Sequence, residues 1–360
     1  MNILVLNSDK SSGSNFVSCL KHAAIDCKIY GTSTHRIRSL LSEVDHNIYV
    51  SEAQNQYPSK VIDIARKESN VDFDLTYQSK SDYYMLDYSK HRNKYPVFLP
   101  THKQIVIYED KYLTYRHLVA KGFNAPYTGL PNNVEELYDI SRNISSNEFW
   151  IRAKSGQGGK GSFRADSVAV ISSVLDERNG WGDYLVSKRI DIKESYSWKQ
   201  RLSDDLLPGE MVSWIALYKD NELIASQVRK RLYWEHSDLA VSGVTGYTGA
   251  NMTVSNDYIH ELSDKVVRSF GSVNGAMGID YLVDDNGHPA VTEIQASRFF
   301  TSTYFLALLG LNFPKLYIET FNSAPSLKDA VNPCKPGYLY VQRFGAKSKL
   351  IKRDKIMNLG

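Results

Sequence analysis

The chain has 360 residues, with 43 Lys and Arg against 40 Asp and Glu, and a formal charge of +3 at neutral pH. A hydrophobic share of 42% and a charged share of 23% are those of an ordinary globular protein of two or three domains. These values exclude a disordered chain, a fibrous repeat and a disulfide scaffold, and the near-neutral balance leaves no footprint for general nucleic-acid binding.

The chain opens on an apolar run, Ile3 to Leu6, too short for a signal segment or a membrane span. A polar turn follows, Asn7 to Ser14, then a helical stretch with Phe16, Leu20 and Ala23, then a short strand, Lys28 to Tyr30. A second unit runs through a helix around Val61 to Lys67 into a strand, Phe73 to Tyr77. Strand, turn, helix and strand at this spacing begin a parallel α/β layer. Its first turn holds a single glycine, Gly13, so the Gly-x-Gly-x-x-Gly dinucleotide fingerprint is missing. The cysteines, Cys19, Cys27 and Cys334, lack metal-ligand spacing and read as reduced thiols of a cytoplasmic protein without a membrane partner.

The segment Asp110 to Gly122 predicts a helix with Tyr112, Tyr115, Leu118 and Val119 on one face and Gly122 as its stop. Beyond it, Asn133 with Glu136 predicts a capped helix, and Asp166 or Ser167 can cap another through Val174. Asn256 to Phe270 is amphipathic, with Ile259, Leu262, Val266, Val267 and Phe270 together. The closing basic cluster, Lys347, Lys349, Lys352, Arg353 and Lys355, reads as a solvated tail or edge strand rather than an anion-contacting tail.

Arg152 to Ser162 carries Gly156, Gly158, Gly159 and Gly161 between two extended stretches. A Rossmann turn would run into a helix, and a Walker A loop would have Ser or Thr where Gly161 follows Lys160. What remains is a hairpin tip with bare N–H groups and two nearby lysines, Lys154 and Lys160. It is either a flap over phosphate oxygens or a mobile surface hairpin.

Asp285-Asn286-Gly287-His288 predicts a two-residue hairpin turn, and the register it sets places Asp280 opposite Glu293, with Gln295 on the same face. Facing carboxylates are destabilising unless something neutral or cationic intervenes. Three oxygen donors on rigid strands suit Mg²⁺; a slipped register, or a carboxylate paired with Arg298 or another base, is the alternative.

In this order the motifs resemble the ATP-grasp superfamily, in its carbamoyl-phosphate-synthetase-like and biotin-carboxylase-like branch. The resemblance implies a mixed α/β and α+β chain. A Rossmann-like N-terminal domain (1–108) would precede a linker helix and lid (109–195), a metal-bearing part (196–330) and a basic end (331–360). It implies ATP as cofactor with Mg²⁺, or Mn²⁺ in its place, on Asp280, Glu293 and Gln295. Lys111 and Arg152 match phosphate-contacting residues, and Gly156 to Gly161 match the flap. Val186-Ser187-Lys188-Arg189-Ile190 matches the adenine hinge, with Ser187 where the family has Glu; Glu210 matches a ribose contact. Arg229 and Arg298 match basic residues that face the phosphates or the acyl substrate. Gln295 stands in place of the usual Asn, and Ala250 in place of an Asp.

The implied reaction is ADP-forming ligation, in which a small-molecule carboxylate becomes an acyl phosphate that an amine attacks. A small-molecule kinase and a non-catalytic ATP-binding regulator are the alternatives, and a homodimer is compatible with either. Tyr233, Trp234, Tyr247, Phe299 and Phe300 either line the acyl pocket or belong to the core. The length leaves room for one such unit, hence one activation per turnover.

Overall fold

An unbroken apolar strand such as Ile3–Leu6 is stable when both faces are covered. In the computed structural model this strand, β1 (Asn2–Leu6), lies inside a parallel sheet, between β2 (Lys28–Ser33) and β4 (Leu75–Gln78). β3 (His46–Tyr49), which the sequence reading did not anticipate, adds to β2 and buries Ile48 alone. The structure describes all residues except 37–42, 80–82, 92, 96, 145–147, 156–160, 191–195, 236–246, 301–302, 342–348 and 358–360. The helix Ser11–His22 packs Phe16, Val17 and Leu20 into the core, with Phe16 stacked on Tyr77 at 3.9 Å. Phe73 is buried but precedes its strand, which begins at Leu75.

The helix Lys111–Ala120 starts where the Asp110 carboxylate accepts the backbone N–H groups of Tyr112 and Leu113, at 2.9 and 3.1 Å. It stops before Gly122, whose φ of 78° is the left-handed conformation glycine adopts without strain. The buried face is Thr114, Tyr115 and Leu118; Val119, expected there, is 58% exposed.

A second sheet, ordered β5-β8-β6-β7, consists of β5 (Thr128–Gly129), β6 (Phe149–Ala153), β7 (Phe163–Ala165) and β8 (Tyr184–Lys188). Leu137, Ile151, Ile171, Leu175 and Val186 form its own core with the helices Val134–Ile144 and Val168–Glu177. Asn133 caps the first of these by accepting the Glu136 N–H at 2.9 Å, and Ser167 caps the second.

The third sheet is largely antiparallel. It comprises β9 (Met211–Lys219), β10 (Glu222–Glu235), β11 (Tyr247–Val254), β12 (Gly275–Val283), β13 (Pro289–Ala296), β14 (Ala330–Val331), β15 (Tyr338–Val341) and β16 (Lys349–Lys352). Its path is β13-β12-β9-β10-β11-β15-β16, with β14 alongside β10. One face buries Trp214, Tyr218, Met252 and Tyr281, together with Ile259, Val266 and Val267 of the helix Asp257–Ser269. The other buries Ile215 and Leu217 with Phe16, Phe299 and Phe313, which joins it to the parallel sheet's helices. Each such side chain contributes roughly 1.5–3 kcal/mol by leaving water. β16 is an edge strand with Lys349 and Lys352 exposed, as the basic cluster implied; Lys347 lies outside the described residues. No helix among the described residues is long and apolar enough to cross a membrane.

Candidate active site

The register between β12 and β13 places Asp280 opposite Glu293, as expected, but not by the expected route. The turn has three residues, Asp285, Asn286 and Gly287, closed by the Asp284 N–H donating to the His288 carbonyl at 2.9 Å. Gly287 takes φ 82°, which a three-residue hairpin loop requires. That loop displaces the register by one residue, so that Tyr281 faces Val291. A bulge at Thr292 then restores it.

Directly opposed residues of antiparallel strands project to one face. Glu293 faces Asp280, Asp280 faces Ser213, Ser213 faces Arg229 and Arg229 faces Thr253, one row across five strands. Asp280, 4% exposed, accepts the Ser213 hydroxyl on Oδ1 at 2.6 Å and Arg231 Nη2 on Oδ2 at 3.0 Å. Gln295 Nε2 reaches Glu293 Oε1 at 3.4 Å, while Gln295 Oε1 is buried without a hydrogen-bond partner among the described residues.

Arg229 is 2% exposed and lacks a carboxylate partner within ion-pair distance among the described residues. Its Nη1 donates to Asn251 Oδ1 at 3.3 Å, its guanidinium lies over Phe300 at 4.9 Å, and its Nε and Asn251 Nδ2 have no hydrogen-bond partner among the described residues. Burial, reinforced by Arg231, pushes its pKa down to about 9, against the opposing pull of Asp280. Phe300 can cross β12 because Gly278 has no side chain: a Cβ there would stand 2.5 Å from the ring. Phe300 therefore belongs to the site, whereas Phe299 is a core aromatic packed with Phe16, Tyr77 and Phe313. The side chains of Tyr233, Trp234 and Tyr247 lie outside the described set.

A cleft beside β13 brings Lys111, Tyr115, Glu293, Gln295 and Arg298 together. The Lys111 N–H donates to the Lys154 carbonyl at 3.0 Å, which fastens the helix start to the end of β6. Arg152 reaches across from β6: Nη1 donates to the Thr292 carbonyl at 3.2 Å and Nη2 to the Tyr115 hydroxyl. Tyr115 donates in turn to the Thr292 carbonyl. Burial raises the Tyr115 pKa, and Arg152 opposes that rise. Arg298 is 8% exposed, and no carboxylate among the described residues lies within ion-pair distance of it.

The remaining expected contacts are dispersed. Ser187 is buried in β8, between β5 and β6, and donates its hydroxyl to the Trp150 carbonyl at 3.1 Å. Lys188 is exposed and Ile190 half-buried just beyond it. Glu210 is not in the carboxylate row; its Oε2 pairs with Lys230 at 2.9 Å and accepts the Leu207 N–H, while Oε1 is buried without a partner. Gly161 has φ 77° and packs near Tyr184. Gly156, Gly158 and Gly159 lie outside the described residues. Tyr115, Thr292, Ser213 and Asn251 were missed, since no local motif marks a side chain defined by its cross-strand neighbours.

A parallel α/β layer followed by two antiparallel α+β units defines a mixed α/β protein with its polar groups gathered between the last two sheets. Residues 108–302 match the family model described as an ATP-grasp domain, more than half of the chain, and the chain belongs to the ATP-grasp family. No curated protein matches it in sequence. Solved structures share the fold. Carboxyaminoimidazole ribonucleotide synthase from Aspergillus clavatus, complexed with ATP, has a TM-score of 0.68 at 13% identity, covering 94% of this chain and 81% of that one. The biotin carboxylase domain of Hydrogenobacter thermophilus 2-oxoglutarate carboxylase, with MgADP and bicarbonate, has a TM-score of 0.67 at 14% identity, covering 94% and 73%. L-amino acid ligase from Bacillus licheniformis has a TM-score of 0.65 at 12% identity, covering 94% and 78%.

Proposed function

We propose that this chain is an ADP-forming carboxylate–amine ligase that uses Mg–ATP. The observation that carries the reading is the opposition of Asp280 and Glu293 beside the unpartnered Gln295 Oε1. Two carboxylates and an amide oxygen fit Mg²⁺, which takes one or two carboxylates and completes its shell with water and phosphate. Among the described residues no cluster of three or more His, Cys, Asp or Glu is placed to hold a metal, so Gln295 and the phosphates are needed to finish the shell. Mn²⁺ suits the same donors. The bound ion would offset charge on the phosphates.

The protein's own part is electrostatic. Lys111, Arg152 and Arg298 stand around the cleft where phosphate charge would accumulate. Ser187, Lys188 and Ile190 would line the adenine hinge, Glu210 Oε1 would accept a ribose hydroxyl, and Gly156, Gly158, Gly159 and Gly161 would cover the phosphates. The buried, carboxylate-free Arg229 with Asn251 is suited to the substrate carboxylate. A carboxylate oxygen attacks the γ-phosphorus and ADP leaves; an amine then attacks the acyl carbon, phosphate leaves, and the amine proton passes to water. One structure of the same fold is named an L-amino acid ligase, and two others, a synthase and a biotin carboxylase domain, were solved with ATP and with MgADP. The free thiols Cys19, Cys27 and Cys334 support a cytoplasmic location.

The test is ADP release from Mg–ATP across a panel of carboxylates paired with amines. Release that requires both substrates and disappears in Glu293→Gln supports ligation. Release with a carboxylate or alcohol alone, yielding stable phosphorylated product, replaces it with a kinase. No release with any pair, and no Mg²⁺-dependent nucleotide binding, rejects the enzyme reading.

A further inference from the structure

One arginine of the closing basic cluster is not left to solvent. The Arg353 N–H donates to the Gly337 carbonyl at 2.7 Å, which continues the β15–β16 pairing past Lys352. Its guanidinium crosses to the loop that precedes β9: Nη1 donates to the Leu202 carbonyl at 3.0 Å and lies 3.3 Å from Asp204 Oδ1. The Arg353 and Asp204 side chains are 26% and 53% exposed, so their ion pair contributes little and the carbonyl contact is the fixed point. Leu202 is itself buried in the core, which holds the same stretch from the other side.

What the loop carries gives this contact a consequence. The Asp205 carbonyl accepts Lys230 Nζ, and Lys230, fully buried, pairs with Glu210 Oε2 at 2.9 Å. The Leu207 N–H donates to the same Oε2 at 2.9 Å, and the Tyr196 hydroxyl donates to the Pro208 carbonyl at 2.9 Å. An ammonium sealed from solvent takes its position from the oxygens around it, because no water stands in for a lost acceptor. If the Asp205 carbonyl moves, Lys230 cannot keep both partners at bonding distance. Glu210 follows, since it is held through Oε2, while its Oε1 is buried without a hydrogen-bond partner among the described residues.

We propose that Arg353 is a positioning residue of the nucleotide site. By holding the stretch 202–205 it fixes the Lys230 ammonium, and through that ammonium it aims Glu210 Oε1 at a ribose hydroxyl. This deepens the ligase reading and rests on the ribose contact given there to Glu210. The basic end of the chain then serves recognition of the sugar rather than of the phosphates.

The experiment reads binding without turnover: calorimetric titration of the full chain with Mg–ADP and with Mg–2′,3′-dideoxy-ADP, which lacks both ribose hydroxyls. The wild type prefers Mg–ADP by roughly tenfold or more, as a hydrogen bond to a charged group predicts. The paired variant Lys230→Met with Glu210→Leu, which leaves no buried charge behind, loses that preference. Arg353→Ala lowers the preference by about threefold or more while the dideoxy nucleotide binds as before, and Arg353→Lys, whose ammonium still reaches a carbonyl, restores part of it. In the paired variant Arg353→Ala changes the preference no further, because the contact it acts through is gone. Arg353→Met, which keeps the apolar stem, replaces Arg353→Ala if the latter does not fold. Equal weakening of both nucleotides by Arg353→Ala marks a merely structural residue and overturns the proposal. So does a preference that Arg353→Ala preserves and the paired variant loses; in both cases the ribose contact stands. A wild type without preference, or a preference that survives the paired variant, rejects the ribose contact and the positioning role together. Binding of neither nucleotide rejects the ligase reading as well.

Discussion

Arg152 Nη1 lies 3.2 Å from the carbonyl oxygen of Thr292, so a residue of the second sheet hydrogen-bonds the bulge that sets the register of the carboxylate hairpin. The bulge turns a carbonyl outward that a regular ladder would have absorbed, and Arg152 and Tyr115 both take it. One backbone oxygen thus ties both Arg152 and Tyr115 to the carboxylate hairpin.

Arg152→Ala should weaken Mg–ATP binding by about tenfold or more and remove ADP formation. Arg152→Lys should restore part of the affinity but little of the rate, because one ammonium cannot span Thr292, Tyr115 and a phosphate as a guanidinium fork does. Calorimetric titration with AMP-PNP alongside an ADP assay separates the two effects.

Glu293→Gln and Asp280→Asn should both abolish the Mg²⁺ dependence of nucleotide binding, yet differ in stability. Glu293 is half-buried and makes one weak contact, to Gln295, so its loss should leave Tm nearly unchanged. Asp280→Asn strips Arg231 of its buried partner and should cost about 3–5 kcal/mol. Urea unfolding of the two variants measures the difference.

Lys230 and Glu210 form an ion pair at 2.9 Å with side chains 1% and 7% exposed. Lys230→Met alone should destabilise the protein by about 3–5 kcal/mol, since Glu210 is left buried and uncompensated, whereas adding Glu210→Leu should recover most of that loss. A double-mutant cycle in urea gives the coupling.

Burial lowers the pKa of His102, His117 and His260 below the ordinary value of 6.5. The folded state therefore binds fewer protons than the unfolded chain as the pH falls. Their stabilisation is fully present above 6.5 and is lost as the pH drops toward the lowered folded values. Tm should fall between about pH 7.5 and about pH 5.5, and His117→Gln, which retains a partner for Ser269, should flatten part of that slope.

Burial drives the Cys19 thiol far up and pushes Cys334 up to about 12, and Cys27 is also raised. The thiolate is the reactive form. Iodoacetamide at mildly alkaline pH should label Cys27 slowly and leave the other two untouched until denaturant is added, with ADP formation unaffected. Intact mass before and after unfolding checks this.

The elements that carry their own pattern were legible: the apolar β1, the Gly122 stop and the amphipathic helix 257–269 all lie where local chemistry places them. The Asp280–Glu293 opposition was legible too, although two one-residue departures, a longer turn and the Thr292 bulge, had to cancel. The bulge was not legible, because it answers to Arg152 and Tyr115, which are remote in sequence.

The row Glu293, Asp280, Ser213, Arg229 and Thr253 spans four strand spacings, roughly 19 Å at about 4.8 Å each. Its carboxylates, Glu293 and Asp280, stand at one end, and the Arg229 guanidinium belongs to a residue three spacings from Glu293, with Arg231 paired to Asp280. A complex carrying a cation at one end and free carboxylate at the other would be turned by those charges before it touches any side chain. In the proposed ligase, reversing it end for end would set its carboxylate against Glu293, so the row would favour one orientation of the same molecule.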